Sequence, residues 1–134
     1  MSEKIDKILA EISVGELYDK ISILEIKKSK IKDSNKLIEI EKELNSLNST
    51  LKDHGFNKFE DSYLAKLIED LTQVNLDLWE IEDGKRLAEK NQKFDEKFIL
   101  LARNVYKKND LRAKIKLDIN KRLGSNIKEI KSYD

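Results

Sequence analysis

The sequence predicts an all-α fold: an antiparallel bundle of four or five helices with a long helical hairpin and no sheet. Proline is absent and there are only four glycines among 134 residues, so the two residue types that most often interrupt helices are rare. Charged residues make up 40% of the chain and hydrophobic ones 39%. Apolar residues recur at steps of three and four, and no segment alternates with a period of two. The length fits one domain, with residues 13–122 as the bundle and residues 123–134 as a tail that docks back or stays flexible.

The first helix is predicted to begin at "SVGE", residues 13–16. Ser13 and Glu16 have the S-x-x-E spacing of a capping box, in which two side chains satisfy free amides of the first turn. The apolar residues that follow fall on two opposite sides, so this helix should be central and covered on both faces. One face carries Val14, Leu17, Tyr18, Ile21, Leu24 and Ile31, and the other carries Ile23 and Ile26.

A second helix should form one arm of a helical hairpin. Asp33 or Ser34 is a suitable N-cap, and Gly55 is a good C-terminal stop. Between these ends, residues that recur at steps of three and four form a narrow seam along the helix, as in a coiled coil. The seam consists of Leu37, Ile40, Leu44, Leu47, Leu51 and His54. Two arrangements of this seam remain open. It pairs two copies as a homodimer, which we favour, or it folds inward within one chain.

Two or three further helices complete the bundle. A long one spans residues 63–90, with the stripe Leu64, Leu67, Leu71, Val74, Leu78 and Ile81. Gly84 lies inside this helix and lowers its stability by about 1 kcal/mol relative to alanine. Phe94, Phe98, Leu101, Ala102 and Val105 mark a fourth helix, which "KKND" at residues 107–110 should break. Asn109 or Asp110 then caps a fifth helix that contains Leu111, Ile115 and Ile119 and ends at Gly124.

Several polar side chains project onto faces that are otherwise apolar, and they are the candidate ligand or network residues: Glu25, Glu82, Arg86, Arg103, Tyr106, Asn109, Asp110 and Arg112. Glu82 and Arg86 have the i,i+4 spacing of an ion pair. We favour a buried ion-pair network that fixes how the helices register. The functional alternative is a pocket between helices in which Arg86, Arg103 and Lys20 face an anion. The third possibility is ordinary exposure of these side chains to solvent.

A metal-dependent alternative rests on two E-x-x-D tetrapeptides. Glu16 with Asp19, and Glu80 with Asp83, each place two carboxylates on adjacent helical turns, where they can share Mg²⁺. These tetrapeptides are similar to the acidic pairs of all-α nucleotide pyrophosphohydrolases, which implies a magnesium-assisted attack of water on a pyrophosphate. The similarity covers two tetrapeptides only, and the spacing between the pairs is far longer here.

The charge distribution suggests another partner class. Residues 60–96 carry 11 acidic and 5 basic side chains, a balance of −6, whereas residues 97–134 carry 11 basic and 4 acidic ones, a balance of +7. We expect the two segments to pair as antiparallel helices and neutralise each other. Nucleic-acid binding by the basic helices is the less favoured reading, because surface aromatics are not interleaved with the basic residues.

The composition gives little support to a disulfide-bonded, zinc-binding, membrane-spanning or secreted protein. Cysteine is absent and His54 is the only histidine, which excludes disulfides and a multi-histidine zinc site within one chain. His54 is expected to interact with carbonyls at a helix end, and Trp79 to be a core anchor. No segment has the length of a membrane span, and "MSEKIDKILAEIS" lacks the apolar core of a signal peptide. We therefore predict a cytoplasmic protein that does not associate with a membrane. No cofactor is certain, and Mg²⁺ belongs only to the metal-dependent alternative.

Four longer motifs carry a resemblance: "ISVGELYDKISILEIK", "LWEIEDGKR", "FILLARNVYKKNDLRAKIKLDIN" and "GSNIKEIKSY". Together, over residues 12–133, they resemble an uncharacterised family of short bacterial proteins known only as a domain of unknown function. The resemblance implies a bacterial or phage origin, a compact helical domain and no established activity. It draws attention to Glu16, Asp19, Lys20, Glu25, Trp79, Glu82, Asp83, Arg86, Arg103, Tyr106, Asn109, Asp110, Arg112 and Asn120.

These observations together favour a binding or assembly module over an enzyme, and the hydrolase and the nucleic-acid alternatives stay open. Its polar cluster, centred on Glu25, Glu82, Arg86 and Arg103, would bind a small anionic ligand or fix a protein partner.

Overall fold

Helices account for nearly all of the regular structure in a computed structural model that describes residues 6–125 and 130. Four α-helices follow one another: α1 (Val14–Lys30), α2 (Ser34–Asp53), α3 (Ser62–Asn91) and α4 (Glu96–Leu123). A short 3₁₀ helix, Lys58–Glu60, precedes α3. The described residues contain no strand, so the predicted all-α fold is confirmed, with four helices rather than five.

The helix α1 is the centre of the arrangement, as its two apolar faces predicted. It packs against α2 on one side and against both α3 and α4 on the other. Its start follows the predicted capping, since the Ser13 hydroxyl accepts a hydrogen bond of 3.0 Å from the Glu16 amide. The main core lies between α1, α3 and α4 and consists of Tyr18, Leu64, Leu67, Leu71, Val74, Ile115 and Ile119.

The seam of α2 faces inward. Ile40 and Leu44 are buried against Leu17, Ile21 and Leu24 of α1, with Leu37, Leu47 and Leu51 packed at the edges of this second cluster. Burying the seam within one chain uses the apolar surface that we predicted to join two copies. The dimer contact through residues 37–51 is therefore wrong, because α1 already covers it.

At the end of α2, His54 is exposed and its Nδ1 lies 2.9 Å from the carbonyl oxygen of Thr50. This confirms the predicted interaction of His54 with a carbonyl at the helix end. Gly55 follows with a φ of 72°, a left-handed conformation that suits glycine at a helix terminus.

The helices α3 and α4 form a long antiparallel hairpin. Asp77 accepts a hydrogen bond of 2.9 Å from Lys108, and Gly84 lies opposite Leu101. Two residues of α3 and α4 therefore face each other when their numbers add up to about 185. The same antiparallel register brings Arg122, at the end of α4, to Asp61, just before α3. These ion pairs agree with the expected neutralisation of the acidic segment by the basic one.

The predicted break at residues 107–110 is wrong, because α4 runs through it without interruption. Asparagine and aspartate cost only a few tenths of a kcal/mol to about 0.7 kcal/mol each inside a helix. Lys108 is bonded to Asp77 of α3 and Arg112 to Asp19 of α1, so tertiary contacts hold α4 within this segment and just after it. These contacts outweigh the local preference for a cap.

The chain ends can be described only in part. α4 ends at Gly124, as predicted, with a φ of 66°. The Ser125 hydroxyl accepts a hydrogen bond of 3.2 Å from the Val14 amide. Ile130 is exposed, and the predicted docking of Tyr133 falls outside the described residues. Within the described part of the chain, no helix is long and apolar enough to cross a membrane.

Candidate functional site

A buried polar network connects the three helices of the main core. Asp19 of α1 is fully buried, and its Oδ1 accepts hydrogen bonds of 2.9 Å from Arg112 Nε of α4 and from Asn75 Nδ2 of α3. A second guanidinium nitrogen, Arg112 Nη2, donates to Asp19 Oδ2. Asn75 also donates to the Ser22 hydroxyl at 2.7 Å. One carboxylate thus ties α1 to both other helices.

The charge of this network is balanced locally. The hydrogen bonds to Asp19 raise the pKa of Arg112 above its ordinary value, although burial acts in the opposite direction. Lys116 donates to Glu16 Oε2 at 2.5 Å, and its Nζ lies 4.0 Å from Asp19 Oδ2. Lys20 lies on the exposed side of Glu16, at 3.8 Å. Two acids of α1, Glu16 and Asp19, therefore meet two bases of α4, Arg112 and Lys116, and of these four only Arg112 was among the candidate network residues.

The first turn of α1 touches α4 directly. The Gly15 amide donates to the buried Asn120 Oδ1 at 2.6 Å, and a Cβ at residue 15 would overlap with the carbonyl oxygen of Lys116. Only glycine allows this approach without moving one of the helices. The network and this contact together fix the position of α1 along the hairpin.

An open groove of about 420 Å³ begins beside the network and continues between the C-terminal half of α1 and α3. Its apolar wall consists of Ile23, Ile26, Leu78 and Trp79, and its polar wall of Asn75, Glu82, Asp83, Arg86 and Arg112. Trp79 is half-buried in this wall, so its predicted role as a core anchor is wrong. The two neighbours predicted with it do belong to the core, since Ile81 is buried and Leu78 packs against the main cluster.

The charged side chains of the groove differ in how they are satisfied. Arg112 is held by Asp19, and Glu82 lies 3.3 Å from Lys85. The predicted Glu82–Arg86 ion pair does not form among the described residues. Arg86 is exposed, and no described acidic side chain pairs with it. The groove therefore presents an uncommitted guanidinium beside an apolar wall.

The predicted residues are only partly brought together. Glu82, Arg86 and Arg112 line the groove. Glu25 is exposed and lines a different recess, with Asn48 and Thr72, because α2 and α3 do not pack against each other and leave this side of α1 open. The remaining candidates lie on α4 outside the groove, with Asn109 and Asp110 half-buried and Arg103 and Tyr106 exposed.

The four carboxylates of the metal-dependent alternative do not form one site. Glu16 and Asp19 are paired with Lys116 and Arg112. Asp83 lines the groove, whereas Glu80 is exposed outside it. Within residues 6–125 and 130, no three acidic or histidine side chains gather closely enough to hold a metal ion. The shared magnesium site that this alternative requires is thus not formed.

Three members of the network were not among the candidate residues: Ser22, Asn75 and Lys116. Asn75 is seven residues before Glu82 and so lies on the same helix face. Lys116 follows Arg112 by four residues, so these two side chains also lie on the same helix face. Ser22 carries no charge, and nothing in its spacing distinguishes it from an ordinary small residue of a packed helix.

Comparison with known protein families identifies the family of this chain. A family described as "Family of unknown function (DUF6165)" matches residues 8–134, which is nearly the whole chain. The chain therefore belongs to this family, which confirms the resemblance to a family of unknown function. Neither curated proteins nor solved structures match the chain. The bacterial origin implied by the resemblance stays a prediction.

Proposed function

We propose that this member of the DUF6165 family is a binding module, whose groove between α1 and α3 takes a small organic anion with an apolar or aromatic body. The observation that supports this proposal is the unpaired Arg86 beside the wall formed by Ile23, Ile26, Leu78 and Trp79. A guanidinium presents several donors in one plane and suits a carboxylate or phosphate group. The volume of about 420 Å³ is within the range of small-molecule sites.

The polar wall narrows the kind of ligand. Asp83 is exposed, lines the groove and has no basic partner among the described residues. A ligand that places its anionic group at Arg86 and a cationic or donor group at Asp83 would satisfy both side chains. Plain phosphate would satisfy only one of them and would leave the apolar wall in water. We therefore expect aromatic amino acids and similar zwitterions to bind better than inorganic anions.

The pairing of the polar groups supports the proposal of binding over catalysis. Asp19 and Arg112 satisfy each other in the interior, and Glu16 is held by Lys116. Charges that are tied to one another stabilise the junction of the helices and are poor candidates for accepting a proton from a substrate. The groove then acts as a surface whose free groups, Arg86 and Asp83, recognise a ligand.

The first experiment is thermal melting against aromatic amino acids, aromatic carboxylates, nucleotides, sugar phosphates and phosphate, each with and without Mg²⁺. A ligand at 100 times its dissociation constant stabilises the fold by about 2.7 kcal/mol, which is several degrees for a domain of this size. Trp79 is the only tryptophan, so its fluorescence reports directly on the groove. A metal-independent shift with a change in fluorescence is the expected result.

The variants Arg86→Gln and Arg103→Gln form a matched pair. Both arginines are exposed and neither has an acidic partner among the described residues, but only Arg86 lines the groove. Binding should weaken by about tenfold or more in Arg86→Gln, because a charge-assisted hydrogen bond is lost, and should be unchanged in Arg103→Gln. Equal loss in both variants would refute the groove as the binding site.

The other predicted partners define further outcomes. A shift that needs Mg²⁺ and a nucleotide together would favour the hydrolase alternative. Salt-dependent retention on heparin would favour nucleic-acid binding by α4. The predicted cytoplasmic location and the predicted self-association also stay predictions, and the second is developed below on a different surface.

A further inference from the structure

The face of the α3–α4 hairpin that points away from α1 carries exposed leucines. Leu87 on α3 is 59% exposed, and on α4 Leu100 is 57% and Leu111 42% exposed. None of the three belongs to the two core clusters or lines the groove. Leu87 and Leu100 lie at the same height on adjacent helices, since Gly84 faces Leu101. Adjoining exposed apolar side chains are typical of a surface that another protein covers.

Charged residues accompany these leucines at matching positions. Glu80 precedes Leu87 by seven residues, and Lys107 follows Leu100 by seven, so each pair lies on one helix face. Both charged side chains are exposed, and neither is in an ion pair among the described residues. Leu87 is level with Leu100, and Glu80 with Lys107, in the register that places Asp77 beside Lys108. The face thus has an acidic edge on α3 and a basic edge on α4 at the same height.

We propose that this face, defined by Glu80, Leu87, Leu100, Lys107 and Leu111, binds the same face of a second copy of the chain. The two-fold axis lies between the copies and runs parallel to the helices. Rotation about this axis places α3 of one copy against α4 of the other and leaves the position of every residue along the helix axis unchanged. Leu87 therefore packs on Leu100 of the other copy. Glu80 meets Lys107 of the other copy in the same way, and the self-complementary contact closes as a dimer.

Charge selects this arrangement over the other face-to-face one. A two-fold axis perpendicular to the helices would place α3 on α3 and α4 on α4. The helix α3 carries 7 acidic and 4 basic residues, a balance of −3, and α4 carries 3 acidic and 9 basic residues, a balance of +6. The perpendicular axis would therefore oppose like charges, which disfavours a complex, whereas the parallel axis opposes unlike ones.

The available area suffices for a stable contact. The helix α4 has 28 residues and is therefore about 42 Å long, and two adjacent helices are about 20 Å wide. The resulting face of roughly 800 Å² equals what each partner contributes to an interface of standard size. The groove lies on the side of α3 that faces α1, so dimerisation leaves the proposed ligand site open.

Sedimentation velocity of the full chain at micromolar concentrations tests the proposal. Wild type should sediment as a dimer, and Glu80→Lys and Lys107→Glu should each weaken the dimer by about tenfold or more, because each places two pairs of like charges in contact. An equimolar mixture of the two variants should dimerise again, since both contacts become attractive. Leu100→Glu should be monomeric, whereas Phe59→Glu, at an exposed apolar residue outside the face, should behave as wild type.

Three results would overturn the proposal. A wild-type chain that stays monomeric up to the highest micromolar concentrations has no such contact. A dimer that survives both charge reversals, or variants that fail to pair with each other while circular dichroism shows them folded, would place the contact on another surface. Because the ligand experiments test residues of the groove and these test residues that do not line it, failure of one proposal leaves the other standing.

Discussion

Replacing Asp19 by asparagine tests the network on which the position of α1 depends. Asp19 Oδ1 accepts from both Arg112 and Asn75, while Oδ2 accepts a second bond from Arg112. Asparagine keeps the shape of the side chain and one acceptor oxygen, but it removes the charge and turns an amide group towards the guanidinium. The variant Asp19→Asn should therefore fold and be clearly less stable than wild type.

The magnitude follows from the burial of the two partners. Removing one partner of a fully buried ion pair costs about 3–5 kcal/mol, because the other charge stays behind uncompensated. The Asp19 side chain is 1% exposed, but the Arg112 side chain is 29% exposed and water can solvate part of it. We therefore expect Asp19→Asn to lower the free energy of unfolding by about 2–3 kcal/mol. Arg112→Met should cost about 3 kcal/mol or more, since it leaves the better-buried charge behind.

The double variant measures the coupling free energy between Asp19 and Arg112. With both charges gone, no uncompensated charge remains, so Asp19→Asn with Arg112→Met should cost at least about 2 kcal/mol less than the two single variants together. Urea unfolding followed by circular dichroism at pH 7 gives all four free energies. Single-variant costs that add up to within about 0.5 kcal/mol would refute the coupling, and with it the claim that this pair fixes α1.

Three further changes have opposite or pH-dependent outcomes in the same unfolding assay. Gly15→Ala should destabilise by about 1–3 kcal/mol or more, because the added methyl group overlaps with α4 backbone. Gly84→Ala should be neutral or stabilise by up to about 1 kcal/mol, since its Cβ would meet only the end of the Leu101 side chain, at 3.0 Å, and the helix gains propensity. The hydrogen bond from Arg122 is the main cause that lowers the pKa of Asp61 below its ordinary value of 3.8. Asp61→Asn should therefore be less stable than wild type above pH 4, and the difference should disappear as the pH falls through the lowered pKa.

The helices themselves could be predicted closely from periodicity and caps. Ser13 caps α1 as expected, and Asp33 caps α2 by accepting from the amides of Asn35 and Lys36. These signals are local, because a cap and its amides lie within four residues of each other. The break at residues 107–110 was predicted by the same local reasoning and is wrong, because the bonds that stabilise the helix there come from residues of α3 and α1 that lie far away in the sequence.

The polar residues were harder to place for a similar reason. Projection showed correctly that Glu25 lies within the apolar arc of α1, but it could not show that α2 and α3 diverge there and leave Glu25 exposed. Asp19 was considered as a metal ligand because its spacing from Glu16 suits two adjacent turns. Its true partner, Arg112, is 93 residues away, and only the tertiary register brings the two together.

The network lies at one end of the groove, since Asn75 and Arg112 line the groove, although Asp19 itself does not. Asp19 joins α1 to the hairpin one turn before Ile23 and about two turns before Ile26, the two α1 residues of the apolar wall. Loosening the junction would let this half of α1 move relative to Trp79 on α3. Asp19→Asn should therefore weaken ligand binding in the groove even at a temperature at which the variant is fully folded. Trp79 fluorescence measures both the folded fraction and the affinity, and an unchanged affinity would show that α1 is positioned by its apolar contacts alone.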